Sequence, residues 1–326
     1  MKTAVLGPSG IECAAIGLGT WAMGGWMWGG GDDAAAIGAI QAALDAGCNL
    51  IDTAPAYGLG RAERLVGQAL KGRRDRAIVA TKCGLVWHTT NGKHFFDEDG
   101  HPVYRYLGAE SIRHEVEQSL QRLQTDRIDL YFTHWQDATT PVAQTMDALL
   151  TLKVQGKIRA IGVSNVSPET LAEYLRYGPV DAVQERYSLI DRGIESTLIP
   201  LCAAHGIAVV GYSSLALGLL AGRIDPQRVF GGDDQRATNP RFSAANRRQL
   251  TEFFDAIELV RARRGCSAAQ LMIAWTVAQP AIAVALCGAR NALQAVQNAG
   301  AGSVELTSDE LAAIERAART HLAALD

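Results

Sequence analysis

Asp52, Tyr57, Lys82 and His134 each stand at or just past the end of an apolar, strand-like run. Asp52 ends the run 48–52, Lys82 ends 77–82, His134 ends 128–134, and Tyr57 follows Asp52 by five residues across a turn that Pro55 favours. If those strands lie side by side and parallel, a carboxylate, a phenol, an ammonium and an imidazole meet at one mouth. Such a group suits proton transfer to an oxygen that is gaining negative charge. A phenol with its reference pKa near 10 donates poorly at neutral pH unless a cation stabilises its anion, and Lys82 is expected to supply that cation. Asp52 would keep the ammonium charged, His134 would hydrogen-bond the developing oxyanion, and Tyr57 would deliver the proton. The chemistry that uses all four is reduction of a carbonyl by a hydride that a cofactor brings.

The elements that would position them recur along the chain. Strand candidates fall at 14–18, 48–52, 77–82, 128–134, 158–163, 181–185, 207–211 and 281–285, after an opening hairpin of 3–6 and 11–14. Between them the spacing predicts helices over 34–46, 61–70, 109–123, 142–154, 168–177, 194–204, 244–263 and 292–299. Asp32-Asp33, Ser167-Pro168-Glu169 and Ser308-Asp309 are start signals, the last for a terminal helix. Eight strand–helix units whose strands are apolar on both faces specify a (β/α)8 TIM barrel, here with an N-terminal β-hairpin and an extra C-terminal helix. No linker or shift in composition divides the chain, so 1–326 is expected to be one domain. Segments 86–107 and 213–242 exceed ordinary connection lengths and are expected to be loops on the catalytic rim, the second punctuated by Gly-Arg, Asp-Pro, Gly-Gly and Asn-Pro.

The 31 basic and 34 acidic residues leave a net charge of -3, which gives no footprint for a nucleic acid or an anionic membrane and favours a small-molecule partner. The six cysteines form neither a Cys-x-x-Cys pair nor a cluster at zinc-ligand spacing, and read as reduced thiols of a cytoplasmic protein. The N-terminus has no apolar stretch of a signal peptide, and no run is long enough to span a bilayer. A metal-dependent barrel hydrolase would need a His-x-His pair or a compact ligand set, and none is present, so no metal is expected.

The later strands end on neutral groups: Ser164-Asn165, Gln184, Tyr212-Ser213, then Gly288 and Arg290. Amides and hydroxyls suit a carboxamide, an aromatic face suits stacking on a ring, and a glycine with a helix N-terminus suits a phosphate. Each has a plainer alternative: Gln184 can satisfy the barrel interior, and Ser164-Asn165 can cap the next helix. Gly17-Leu-Gly19-Thr-Trp-Ala22 matches a dinucleotide-binding fingerprint, but the glycine- and tryptophan-rich stretch after it is read as unable to open a helix, so the required context fails. A rim loop with Trp21, Trp26 and Trp28 as substrate walls is the better account.

The chain resembles the aldo-keto reductases, most closely a bacterial NADPH-dependent branch with inositol-operon-type enzymes, related to potassium-channel β subunits. The stretches that carry the resemblance are 17–21, 49–58, 80–84, 122–135, 161–165, 212–223 and 288–298. The resemblance implies a barrel that binds NADPH without a Rossmann domain, with Asp52, Tyr57, Lys82 and His134 as catalytic tetrad. It places Thr20, Trp21 and Asp52 near the nicotinamide, Ser164, Asn165 and Gln184 at its carboxamide, and Tyr212 as the stacking ring. It assigns Ser213, Leu215, Gly218 and Arg223 to the diphosphate, and Gly288, Arg290, Gln294, Gln297 and Asn298, with Arg241, to the adenosine end, Arg290 facing the 2′-phosphate. Ser214 and Cys287 stand where the family often has Pro, and Gln297 where Glu is common, which leaves the preference for NADPH over NADH resting mainly on Arg290. The expected activity is reduction of aldehydes, and of ketones as an extension, with alcohol oxidation as the reverse. Trp21, Trp28, Tyr57, Trp87, His134 and Trp135 would line the substrate pocket. The alternative is a cofactor-sensing accessory subunit whose hydride transfer is vestigial, and the oligomeric state, monomer or homo-oligomer, is open.

Overall fold

Short apolar strands alternate with amphipathic helices until the sheet closes on itself. The computed structural model describes residues 1–326 except Pro226, Ala324 and Asp326, so the Asp-Pro step at 225–226 lies partly outside the described residues. In chain order the strands are β1 (Thr3–Val5), β2 (Glu12–Ala14), β3 (Ile16–Gly19), β4 (Leu50–Asp52), β5 (Ile78–Cys83), β6 (Leu85–Val86), β7 (Lys93–Glu98), β8 (His101–Arg105), β9 (Ile128–Thr133), β10 (Ile158–Ser164), β11 (Ala182–Arg186), β12 (Ala208–Tyr212) and β13 (Ile282–Gly288). β1 and β2 form an antiparallel hairpin, and the closed parallel barrel runs β10-β11-β12-β13-β3-β4-β5-β9. This is the (β/α)8 TIM barrel.

The barrel strands are buried on both faces, which is why they read as continuous apolar runs instead of alternating ones. Inward side chains, among them Leu50, Leu130, Phe132, Val210, Val284 and Leu286, fill the interior together with Leu6, Ile11 and Cys13 of the hairpin, which closes the end opposite the site. Outward side chains such as Ile51, Val79, Tyr131 and Ile161 pack under the helices. Gly162 is required on the inward face: a Cβ on it would lie 2.3 Å from the Phe132 ring.

Several helices start or stop away from the expected residues. The stretch 244–263 is two helices, Ala244–Ala256 and Glu258–Arg264, interrupted at Ile257. The helix expected at 194–204 begins only at Leu198. The terminal helix Ser308–His321 is capped by Thr307 in a capping box with Glu310, so Ser308 lies inside it. One helical turn, Trp21–Gly24, does form after β3, contrary to expectation, yet it ends at Gly25, too short to make a dinucleotide-binding strand–turn–helix. Segment 86–107, expected as loop, is largely sheet: β6, β8 and β7 pair antiparallel, and the β7–β8 turn is Asp99-Gly100 with both φ values positive, 49° and 78°. Segment 213–242 keeps loop character with three 3-10 turns. Among the described residues, no helix is long and apolar enough to cross a membrane.

Candidate active site

Parallel register decides which side chains meet. Asp52 is level with Gly19 and with Ala80, and Lys82 with Phe132, so the carboxylate of β4 and the ammonium of β5 emerge at adjacent strand ends. Lys82 Nζ donates to Asp52 Oδ1 at 2.7 Å and to the Thr53 carbonyl at 2.9 Å, with its side chain 1% exposed. Asp52 Oδ2 accepts from Gln184 Nε2 at 2.8 Å. The carboxylate is thus fixed from two sides, one charged and one neutral, deep in the barrel mouth.

Tyr57 is brought over this pair by the turn after β4. Gly58 has φ +67°, and a Cβ on it would lie 2.4 Å from the Gly24 carbonyl, so the turn and the first rim loop touch backbone to backbone. The Tyr57 ring then sits 5.0 Å from Lys82 Nζ, centroid to cation, and edge-on to the His134 ring at 5.7 Å. His134, whose backbone N–H donates to the Cys83 carbonyl, follows the end of β9 directly and is half-buried. All four residues meet as the strand-end argument expects.

Their electrostatics differ from expectation in one respect. Burial, reinforced by the Asp52 carboxylate, pushes the Tyr57 phenol well above its ordinary value, so the net shift runs opposite to the one a cation alone would give. Desolvation penalises the phenolate directly, and the Lys82 ammonium is hydrogen-bonded to Asp52 and Thr53. Burial also pulls the Lys82 ammonium below its ordinary value, against the pull of Asp52. The His134 imidazole is driven well below its ordinary value by burial and then by Lys82, and is neutral at pH 7. The site therefore presents a protonated phenol and a neutral imidazole side by side.

These groups open on a cavity of about 1290 Å³, larger than most small-ligand pockets. One end is aromatic: Trp21, Trp26, Trp28, Trp135, His134 and Tyr57 line it as expected, joined by Phe95 and Phe96, which the sequence did not single out. Trp21 meets Trp28 edge-on at 5.4 Å, and Trp26 stacks on Phe96 at 4.8 Å. Trp87 does not line the cavity; it packs against the cluster of Ala56, Leu85 and Val103, the first two of which face the cavity in its place.

The middle of the cavity carries Thr20, Ser164, Asn165, Gln184, Tyr212 and Ser213. Ser164 donates to the Gln184 carbonyl at 2.7 Å, Asn165 Nδ2 to the His134 carbonyl at 2.8 Å, and the Tyr212 hydroxyl to Asn165 Oδ1 at 2.8 Å. Gln184 Nε2 is engaged by Asp52, and the residue lines the cavity beside Ser164 and Asn165. The far end carries Leu215, Gly218, Arg241, Gly288 and Arg290, with Gln294, Gln297 and Asn298 of the helix Ala292–Gly300. Arg186, Arg228 and Arg236 line the cavity too and were missed; the density of arginines between 223 and 241 was the available signal for the last two, and the end of β11 for Arg186. Arg223 is not in the cavity: it faces solvent and is ion-paired with Asp255, because the turn at Gly222 sends it outward.

The donor set fits an anionic dinucleotide. Five arginines face the cavity, a Cβ at Gly19 would meet nothing within 4 Å, one at Gly288 only a carbonyl at 4.0 Å, and two buried donors, Trp28 Nε1 and Gln235 Nε2, have no hydrogen-bond partner among the described residues. Residues 15–319 match the model of the aldo/keto reductase family. The chain belongs to that family. It is 42% identical over 313 residues to a protein of Escherichia coli (strain K12) named NADH-specific methylglyoxal reductase, covering 94% of this chain and 95% of the relative. Among solved structures it is similar to the glycerol dehydrogenase AKR11B4 from Gluconobacter oxydans, at 37% identity and TM-score 0.88, covering 98% and 96%. It is also similar to an aldo-keto reductase from Klebsiella pneumoniae solved in complex with NADPH, at 31% identity and TM-score 0.74, covering 98% and 95%. The protein is therefore an oxidoreductase of the aldo/keto reductase family that uses a pyridine nucleotide.

Proposed function

We propose that this protein is an NADPH-dependent reductase of small aldehydes, with Tyr57 as the proton donor and Lys82, Asp52 and His134 as its supports. The observation that carries the proposal is the buried Lys82–Asp52–Gln184 chain directly beneath Tyr57 and His134 at the cavity's aromatic end. When bound, the nucleotide supplies the hydride. Ser164, Asn165 and Gln184 would hold its carboxamide, Tyr212 its ring, and Ser213, Leu215 and Gly218 with the arginines its phosphates.

The chain's own residues do the rest. As the carbonyl carbon gains the hydride, the π electrons move to oxygen, and the Tyr57 O–H bond breaks as its proton goes to that oxygen. A developing alkoxide is the conjugate base of a group about as weakly acidic as water, so a phenol raised by burial is still acidic enough to give up its proton. His134 stays neutral and donates a hydrogen bond to the same oxygen, so no imidazolium competes with the phenol for the role of acid. Lys82 stabilises the phenolate once it has formed, until solvent restores the proton.

The aromatic walls favour short aldehydes with an apolar or planar body, and methylglyoxal is the first candidate because a relative 42% identical is named for it. NADPH is favoured by the arginine-rich far end; that same relative is named NADH-specific, so the two nucleotides must be compared directly. Tryptophan-fluorescence titration with each nucleotide, then an aldehyde panel including methylglyoxal and 4-nitrobenzaldehyde, tests both parts. Tighter binding of NADPH and steady aldehyde-dependent consumption of it are expected. Nucleotide binding without turnover on any aldehyde would instead favour an accessory, cofactor-sensing role.

A further inference from the structure

The rim loop that carries Trp26 and Trp28 is glycine-rich, with Gly25, Gly29 and Gly30 all at positive φ, so little in its own sequence holds it in one shape. Within the loop, Trp28 N and Gly30 N donate to the Gly25 carbonyl, each at 3.1 Å. Arg61 fixes its two ends, with Nη1 to the Gly24 carbonyl at 3.5 Å and Nη2 to the Gly31 carbonyl at 3.0 Å. Its middle is held from far along the chain. Asp233 accepts from Met27 N at 2.7 Å and Gly29 N at 2.9 Å, and Gln235 N donates to the Met27 carbonyl at 3.0 Å. Arg290, 260 residues away from Gly30 in sequence, donates from Nη1 to the Trp28 carbonyl at 3.2 Å and from Nη2 to the Gly30 carbonyl at 2.7 Å.

We propose that Arg290 is a positioning residue for the aldehyde wall: its guanidinium clamps the Trp28 and Gly30 carbonyls and so fixes the Trp28 ring against Trp21 at the substrate end of the cavity. The proposal rests on the aldehyde-reductase reading above and adds a role that does not involve the nucleotide's 2′-phosphate. The geometry suits arginine in particular, because a planar fork reaches two carbonyls two residues apart, whereas an ammonium is a single point of charge. The clamp also joins the end of β13, on the nucleotide side, to the wall that faces the aldehyde. Both sides of the cleft then depend on one side chain.

NADH lacks the 2′-phosphate, so a residue that serves only that phosphate leaves NADH-driven kinetics unchanged. With NADH saturating, Arg290→Ala is expected to raise the aldehyde KM by about tenfold, the loss of a charge-assisted hydrogen bond, with a smaller change in kcat. Arg290→Lys is expected to fall between the two, since it keeps the charge and loses the fork. In the nucleotide-free protein, hydrogen exchange at the amides of Met27, Trp28, Gly29 and Gly30 is expected to speed up in Arg290→Ala while barrel amides are unaffected. Exchange is read whether or not the protein turns over, so absence of aldehyde reduction sinks the assigned activity without touching the clamp. Unchanged exchange overturns the clamp. Faster exchange with an unmoved aldehyde KM overturns its link to the substrate wall.

Discussion

Asp52 and Lys82 show what burial does to a strand-end ion pair. Each would be costly alone at this depth, and the pair is tolerable because Thr53 and Gln184 complete its hydrogen bonding. Lys82→Met is therefore expected to destabilise the fold by about 3–5 kcal/mol, the cost of leaving a buried carboxylate unpaired, read from the denaturant midpoint at constant m. The pH behaviour follows from Tyr57 and His134. A phenol raised above its ordinary value is protonated through neutral and mildly alkaline pH, so the rate of aldehyde reduction is expected to be flat from about pH 6.5 to 9. Alcohol oxidation, which needs the phenolate as base, is expected to rise over the same range. His134 is held below its unfolded value, so its share of stability is present above about pH 6.5 and is lost as pH falls toward its folded value. At this scale the sequence picked out four residues that the fold brings together, because strand ends are visible as residue types. It did not show that burial would raise Tyr57, because desolvation is a property of depth and of partners far apart in sequence.

The elements were legible where apolar runs dominate. All eight barrel strands fall where the sequence puts them, within a residue or two except at the end of β13, which runs three residues further, since parallel strands buried on both faces cannot be mistaken for loops. The hairpin of β7 and β8 escaped notice because its polar residues hid the strand pattern, although Asp99-Gly100 is a recognised two-residue turn. The helix Ala268–Ala278 was not singled out either, since its nearly uniform apolar sequence has no helical period. Two tests belong here. Gly58→Ala places a methyl 2.4 Å from the Gly24 carbonyl at a positive φ, so it should displace Tyr57 and lower kcat/KM at least about tenfold in a protein that still folds. Glu115, on the helix Ala109–Leu123, accepts from Gly84 N at 2.8 Å at the end of β5, and burial pushes its carboxyl up to about 8. A carboxyl raised in this way contributes stability at low pH that is lost as pH climbs from about 4.3 toward 8. Glu115→Gln keeps an acceptor for Gly84 and loses the titration, so its Tm relative to the native protein should improve steadily over that interval and level off above it.

At the level of the whole molecule, the barrel keeps stability and chemistry at opposite ends. The hairpin side chains Leu6, Ile11 and Cys13 close one end, and the loops of the other build the cavity. All six cysteines are buried, and burial raises those at positions 13 and 48 to about 12, so none should react with a thiol reagent before unfolding and six should react after. What the sequence could not place at this scale was the meeting of residues 26–31 with 233–236 and 290, a contact between distant segments that carries no local pattern. The central claim, that Tyr57 hands a proton to an oxygen being reduced in this cavity, is met most directly by comparing Tyr57→Phe with the native protein in NADPH-driven methylglyoxal reduction and in NADPH binding. The account predicts that the variant binds nucleotide within a few-fold of the native protein while its turnover falls by about 10²- to 10⁴-fold. Near-native turnover by the variant would contradict it.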